Sequence, residues 1–353
     1  MKTKKGIASI VMAVSLVLSV LLSLLIVGVD TSWGAVDVKL GKLISENGTT
    51  INYKMYIPKT ASVQNPAPGL LYGVGGGDGV DAGHAFAIEA SRRGMVVMSI
   101  DVPGNGLSES LSSVVHFDEN NQAVVAQSDP TQGHELAYNY LTSLPFVDST
   151  RMVTGGHSMG GMYTVQVAQN HQDEVKLQFN VGMNNYGNPE LGYDFNFALI
   201  IGTSDESALV RTTNHCTMDD IYQNADLKNM FGLGEDERLE PGTVYGDFAN
   251  ETGRAVYTPH TLHIWEPYTV EVVEYFLTCL EDTMEVPNAL PASDTVFVWK
   301  DYLVVGMIAL LMVFVTSTAC VLLDTGVFRE LKLAPRKYFG FKPNSAVWWA
   351  AVA

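Results

Sequence analysis

Two uncharged apolar runs constrain this chain more than any other feature. Residues 6–29 are mostly Val, Leu, Ile, Ala and Ser, and residues 302–323, between Asp301 and Asp324, are of the same apolar kind. At 24 and 22 residues, each is long enough as an α-helix to cross about 30 Å of hydrocarbon. A helix in the core of a domain carries a polar stripe, and the second run offers only Thr316, Ser317 and Thr318. The first run exceeds the apolar stretch of about 7–15 residues in a cleaved signal peptide. Asp30-Thr31-Ser32-Trp33, a poor cleavage site, follows it, so it reads as an uncleaved anchor. Lys2, Lys4 and Lys5 precede the first run; Arg329, Lys332, Arg336, Lys337 and Lys342 follow the second. Basic flanks mark the cytoplasmic side of a membrane. The expected organisation is an anchor over 1–30, an exported domain over 31–300, a transmembrane helix over 301–324 and a basic cytoplasmic segment over 325–353. Val347-Trp348-Trp349-Ala350-Ala351 reads as the start of a further span or as an interfacial tail.

Charge agrees with that division. Residues 31–300 hold 34 acids and 13 bases, a net of −21, against −17 for the whole chain. Such a segment stays off anionic headgroups. It also lacks the basic face that nucleic acid requires, so nucleic acid is not expected as a partner. Hydrophobic residues make up 47% of the chain, which excludes disorder for most of it. The chain has three Cys, too few for a disulfide-built scaffold of this length. Cys216 and Cys279 fall in the exported segment, where an oxidising environment permits a disulfide between them; Cys320 lies in the second apolar run.

The middle segment alternates strand-like and helix-like patterns. Strands are expected at 36–44, 50–57, 69–72, 95–100, 151–154, 176–181, 195–201 and 255–257, and helices at 81–93, 133–144, 162–169 and 268–280, with a further short helix at 219–231. The first helix carries Ala82, Ala85, Phe86 and Ala90 on one face. Alternation of this kind argues for an α/β fold with a mostly parallel sheet covered by helices. Ligands then sit beyond the carboxyl ends of the strands.

One such strand end carries the motif with the most chemistry. Gly156-His157-Ser158-Met159-Gly160 matches Gly-x-Ser-x-Gly between a strand pattern and a helix pattern. A serine at that turn is lifted above the sheet at a helix N-terminus, and the flanking glycines allow close chain approach. Ser158 is therefore the expected nucleophile. It needs a base, and the base an orienting acid, in the chain order Ser, acid, His. Asp205 is the first carboxylate beyond the strand at 195–201, with Glu206 the runner-up. After the last strand, His260 and His263 both qualify as base. His263 is preferred because the ring must swing over the serine from a loop; His260 fits if the strand ends earlier. His157 is expected to pack on the sheet, and His84, His116, His134, His171 and His215 to lie on the surface or on helix faces. The oxyanion formed on attack needs backbone donors. These are expected from Met159 and from the glycine-rich turn 73–79, at Val74 or alternatively Gly75. That turn lacks the Lys-Ser/Thr of a phosphate-binding loop. No spacing of Cys and His calls for a metal, and no cofactor is expected.

The elbow, the glycine-rich turn, Asp101-Val102-Pro103-Gly104-Asn105-Gly106-Leu107-Ser108 and Gly202-Thr203-Ser204-Asp205 together resemble the α/β-hydrolase superfamily, in its dienelactone hydrolase-like and serine esterase branches. The resemblance covers about residues 36–280. With the flanking runs, the chain resembles bacterial membrane-anchored α/β-hydrolase proteins. Tyr72-Gly73 departs from the His-Gly that many members carry. The resemblance implies an α/β-hydrolase fold, a structural role for Asp101 and cleavage of an ester or related acyl bond, with a small-molecule or lipid ester and the membrane as partners. The alternative is a catalytically inactive hydrolase fold used as an exported binding or sensor domain.

Overall fold

The computed structural model describes residues 2–45, 48–110, 115–117, 123–125, 129–207 and 217–331. The chain divides into two compact units, Met1–Leu24 with Leu303–Ala353, and Leu25–Tyr302. In the first, helices α1 (Lys2–Asp30) and α8 (Phe297–Leu322) supply the apolar lengths. Mean hydropathy reaches 3.0 over Gly6–Asp30 and 2.4 over Phe297–Leu322, and most of both surfaces is exposed. By length and composition each is able to cross a membrane. Lys332 to Lys342, residues 347–351 and Cys216 lie outside the described residues, as does His215.

The second unit is built on a sheet that runs, among the described residues, in the order β1 (Val36–Ile44), β2 (Thr50–Pro58), β4 (Val96–Ile100), β3 (Ala67–Gly73), β7 (Val147–His157), β8 (Val175–Val181), β9 (Asn196–Ile200), β11 (Arg254–Tyr257), β10 (Val244–Tyr245). Strands β4, β3, β7, β8, β9 and β11 are parallel; β1, β2 and β10 are antiparallel to their neighbours. This strand order, with its antiparallel second strand, is that of the α/β-hydrolase fold. A short hairpin, β5 (Val115–Phe117) with β6 (Ala123–Val125), stands apart from the sheet.

The central strands β3, β4 and β9 are buried at every residue, which is why they read as continuous apolar runs. Edge strand β1 is mostly exposed and alternates. Helices α2 (His84–Arg92) and α7 (Val270–Thr283) cover one face, where the rings of Tyr72, Phe86, Phe179 and Phe276 pack in stacked, tilted and edge-on pairs with centroids 4.4–6.1 Å apart. Helices α3 (His134–Thr142) and α4 (Met159–Asn170) cover the other, with Tyr138, Leu141, Val165 and Ala168 in the core.

Local differences from the expected elements have local causes. The strand expected at 151–154 begins at Val147, because Val147 and Asp148 already pair with Ala67 and Pro68 before a register shift. Helix α4 starts at Met159 rather than 162, so Gly160 and Gly161 are helical. The helix expected over 219–231 is two short ones, α5 (Met218–Tyr222) and α6 (Ala225–Met230). Asn224 separates them by capping Leu227 N–H at 2.9 Å. A six-residue 3₁₀ turn, His263–Tyr268, precedes α7, which begins only after Pro267. Asp101 is buried and accepts hydrogen bonds from Asn52, Val80 N–H and Leu107 N–H, tying β4 to two loops.

The ends of this unit are bound to each other. Asp30 meets Lys300 Nζ at 2.7 Å, Lys54 Nζ at 3.1 Å and the Tyr56 hydroxyl at 2.9 Å. The fully buried Glu89 of α2 accepts the N–H groups of Val296 and Phe297 at the start of α8. A carboxylate there also complements the helix dipole.

Candidate active site

Strand β7 turns directly into α4 at Ser158, whose backbone sits at φ 52°, ψ −127°. A non-glycine residue in such a conformation is strained by about 1–3 kcal/mol and persists only when its surroundings enforce it. Here Ser158 N–H donates to Val181 O (2.8 Å), and Ser158 O accepts from Gly161 N–H (3.0 Å). A β-carbon on Gly160 would lie 2.1 Å from Gly73 O, and one on Gly156 would lie 2.5 Å from the same atom. Those two glycines therefore let the first turn of α4 press against the end of β3.

Three other loops converge on this turn. Asp205 is fully buried in the loop after β9, and its Oδ1 accepts Ser207 N–H. His263 opens the 3₁₀ turn after β11. Its Nδ1 lies 2.9 Å from Asp205 Oδ2, and its Nε2 lies 3.0 Å from Ser158 Oγ. Glu206, the runner-up acid, instead accepts the backbone N–H of His263 at 3.0 Å. His260 is exposed and bonds the Thr203 hydroxyl at 2.7 Å, away from the serine. Burial pushes the His263 imidazole down, but the Asp205 carboxylate bonded to it and the nearby Glu266 carboxylate outweigh that and raise it to about 9.

The glycine-rich turn lies against the elbow: a β-carbon on Gly76 would be 2.5 Å from Met159 Sδ. Val74 is buried, and its N–H donates to no group among the described residues. Met159, as the first residue of α4, has no intrahelical acceptor for its N–H.

Glu266 was not foreseen from the sequence. It is fully buried three residues after His263. Its Oε1 accepts Gly202 N–H at 2.6 Å; its Oε2 lies 3.5 Å from His263 Nδ1 and 3.3 Å from His157 Nε2. The available signal was a lone acid in the apolar stretch Ile264-Trp265-Glu266-Pro267. His157 is more than sheet packing: its ring stacks 4.5 Å from that of His263, and Nε2–H donates to the His263 carbonyl at 3.0 Å. His84 and His134 lie on helices, one of the two places expected, but are buried at the starts of α2 and α3 rather than exposed. His171 is half-buried against Tyr138 and Glu135; the side chain of His116 lies outside the described residues. Cys279 is buried and has no disulfide partner among the described residues, which exclude Cys216.

His157, His263 and Glu266 offer three metal-ligand atoms within 4.8 Å of one another. His263 Nδ1 also bonds Asp205, and His157 Nε2 bonds the His263 carbonyl.

No protein-family model and no curated protein sequence matches this chain. Solved structures with which it overlaps include a CIB-like hydrolase from Thermoplasma acidophilum, at 16% identity over 69% of this chain and 98% of that one, with a TM-score of 0.45. An S-formylglutathione hydrolase from Agrobacterium tumefaciens overlaps at 15% identity over 71% and 96%, TM-score 0.45. A feruloyl esterase module from Clostridium thermocellum does so at 12% identity over 72% and 90%, TM-score 0.45. The strand order and the elbow, rather than these overlaps, define the fold.

Proposed function

We propose that this chain is a membrane-anchored serine hydrolase that cleaves an ester or related acyl bond. The observation that carries the reading is the continuous contact from Ser158 Oγ to His263 Nε2 and from His263 Nδ1 to Asp205, on a strained elbow. In its neutral form His263 takes the serine proton as Oγ attacks the acyl carbon. Asp205 holds the ring and offsets the charge that forms on it. The N–H groups of Met159 and Val74 receive the oxyanion. Collapse expels the alcohol, protonated by His263, and leaves an acyl-serine. Water, deprotonated by the same imidazole, then releases the acid.

Met159, Leu262, Ile264 and Trp265, which adjoin the serine and the base in sequence, are all at least one-third exposed. Such an apolar rim supports a substrate with an apolar acyl or alkyl part, a small ester or a lipid ester. The two apolar helices and the basic residues on their outer ends support anchoring in the cell membrane, with the hydrolase unit on the extracytoplasmic side.

The test is labelling of the detergent-solubilised full chain by a fluorophosphonate probe. Wild type is expected to label and Ser158→Ala not to. A folded wild type that fails to label, or a Ser158→Ala variant that still labels, overturns the hydrolytic reading. Protease added to intact cells is expected to degrade the 31–300 segment; complete protection overturns the topology.

A further inference from the structure

His263 has two buried carboxylates at one ring nitrogen, and the mechanism above uses one. Asp205 and Glu266 are both fully buried and reach Nδ1 from separate loops, at 2.9 Å and 3.5 Å. Glu266 also braces the acid loop: Oε1 holds Gly202 N–H, and Gly202 O in turn accepts Asp205 N–H at 3.0 Å. Oε2 has no hydrogen-bond partner among the described residues. Space is kept for it. A β-carbon on Gly182, which sits at φ +59°, would lie 1.9 Å from Oε2 and 2.8 Å from His263 Nδ1.

A buried carboxylate oxygen left unbonded is costly unless a cation, or a proton that arrives during function, stands beside it. The groups facing it are the His263 and His157 imidazoles, and the buried Tyr72 phenol lies within reach of its charge. Asp78 Oδ2 and His157 Nδ1 both border the space at Gly75. Of these groups, only His263 gains a positive charge in the course of acyl transfer.

We propose that Glu266 is a second positioning carboxylate for His263, sharing with Asp205 the imidazolium charge that forms when Ser158 gives up its proton, and able to hold Nδ1 when Asp205 is removed. The assignment of a catalytic step to it rests on the hydrolytic reading; its electrostatic action on His263 does not. Two consequences follow. The base is held in its protonated form to higher pH than one carboxylate would hold it. Removal of Asp205 alone leaves a partly competent site.

The experiment uses the full chain in detergent with Asp205→Ala, Glu266→Gln and the double variant. Glutamine keeps an amide oxygen for Gly202 N–H and removes the charge, so the brace and the charge are tested separately. The first readout is the His263 titration by NMR on histidine-labelled protein, assigned by its loss in His263→Ala. Glu266→Gln is expected to lower that pKa by about one unit or more. A wild-type titration retained in Glu266→Gln overturns the proposal, and this readout stands whether or not any ester is turned over. The second is kcat/KM on a soluble ester. Asp205→Ala is expected to lose about 10²-fold and the double variant about 10⁴-fold, the scale of losing the orienting acid altogether. In Glu266→Gln the rise of activity with pH moves to lower pH, which a purely structural brace would not cause. Asp205→Ala falling as far as the double variant also overturns the proposal. Failure of the hydrolytic reading appears separately, as a wild type that neither labels nor turns over.

Discussion

His134 and His263 are both buried imidazoles, at 0% and 8% exposure. His134 begins α3, where its Nδ1 meets the Thr131 carbonyl at 2.8 Å, its ring lies 5.4 Å from that of Tyr163, and Nε2 has no partner among the described residues. No carboxylate among the described residues bonds it, and burial pushes it down to about 4 despite the Thr131 carbonyl and the more distant Asp129. His263 is drawn the other way by Asp205 and Glu266. On the proposed hydrolytic reading, the difference shows that burial alone does not mark a working histidine. What marks it is burial together with groups that stabilise its charged form beside a nucleophile.

The largest effect that tests this contrast is on activity. His263→Ala is expected to lower kcat/KM for ester hydrolysis by about 10⁴-fold or more, whereas His134→Phe stays within about threefold of wild type. Equal losses in the two variants would break the contrast. Next comes the working pH. With His263 raised to about 9, kcat/KM should climb as pH rises towards 9, since only the neutral ring accepts the serine proton. A plateau already reached at pH 7 would show that the two carboxylates do not act on the ring as their distances imply.

The two histidines also bend stability in opposite directions. His134 titrates at about 4 folded against 6.5 unfolded, so it contributes nothing above pH 6.5. Below that pH the unfolded chain takes the proton first, and about 3 kcal/mol is lost by pH 4. His134→Phe should flatten this acid limb in denaturant titrations at pH 7 and pH 4.5. His263 titrates above its unfolded value; its contribution is complete below pH 6.5 and fades as pH rises through about 9. The smallest expected effect is that of His260→Ala, which removes one exposed bond to Thr203 and should change kcat/KM by no more than about twofold.

Legibility in the sequence followed how local each constraint is. The elbow needs only a strand, five residues and a helix, all contiguous, so Ser158 stood out. Asp205 could be named because it is the first acid past a strand that is recognisable by its apolar run. The choice between His260 and His263 depends on something spacing does not record. The base loop runs beside the acid loop through backbone bonds from Thr203 to Pro259 and from Ser204 to Thr261. His263 is the first histidine beyond that ladder. For Glu266 the lone acid in an apolar stretch was the only local signal, because its surroundings are made by Gly182, Gly202 and His157, which lie on three other segments. His84 and His134 look like ordinary helix-surface residues in sequence, and only the packing of the helix starts against the sheet buries them. The apolar helices were legible from composition alone.

The ion pair between Asp30 and Lys300 joins residues 270 positions apart, so the unit between them is a closed ring of chain. Under the proposed anchoring, the bilayer keeps both ends of that ring captive even when the interior melts. The denatured chain is then a tethered loop rather than a free coil. For a loop of this length the difference is on the order of 5 kcal/mol of chain entropy in favour of the folded state. Cutting out residues 31–300 discards this topological advantage along with Asp30, leaving Lys54 and Lys300 without their shared counter-charge. The liberated segment should melt at a lower temperature than the same residues in the intact chain, although its sheet and its active-site contacts are unchanged.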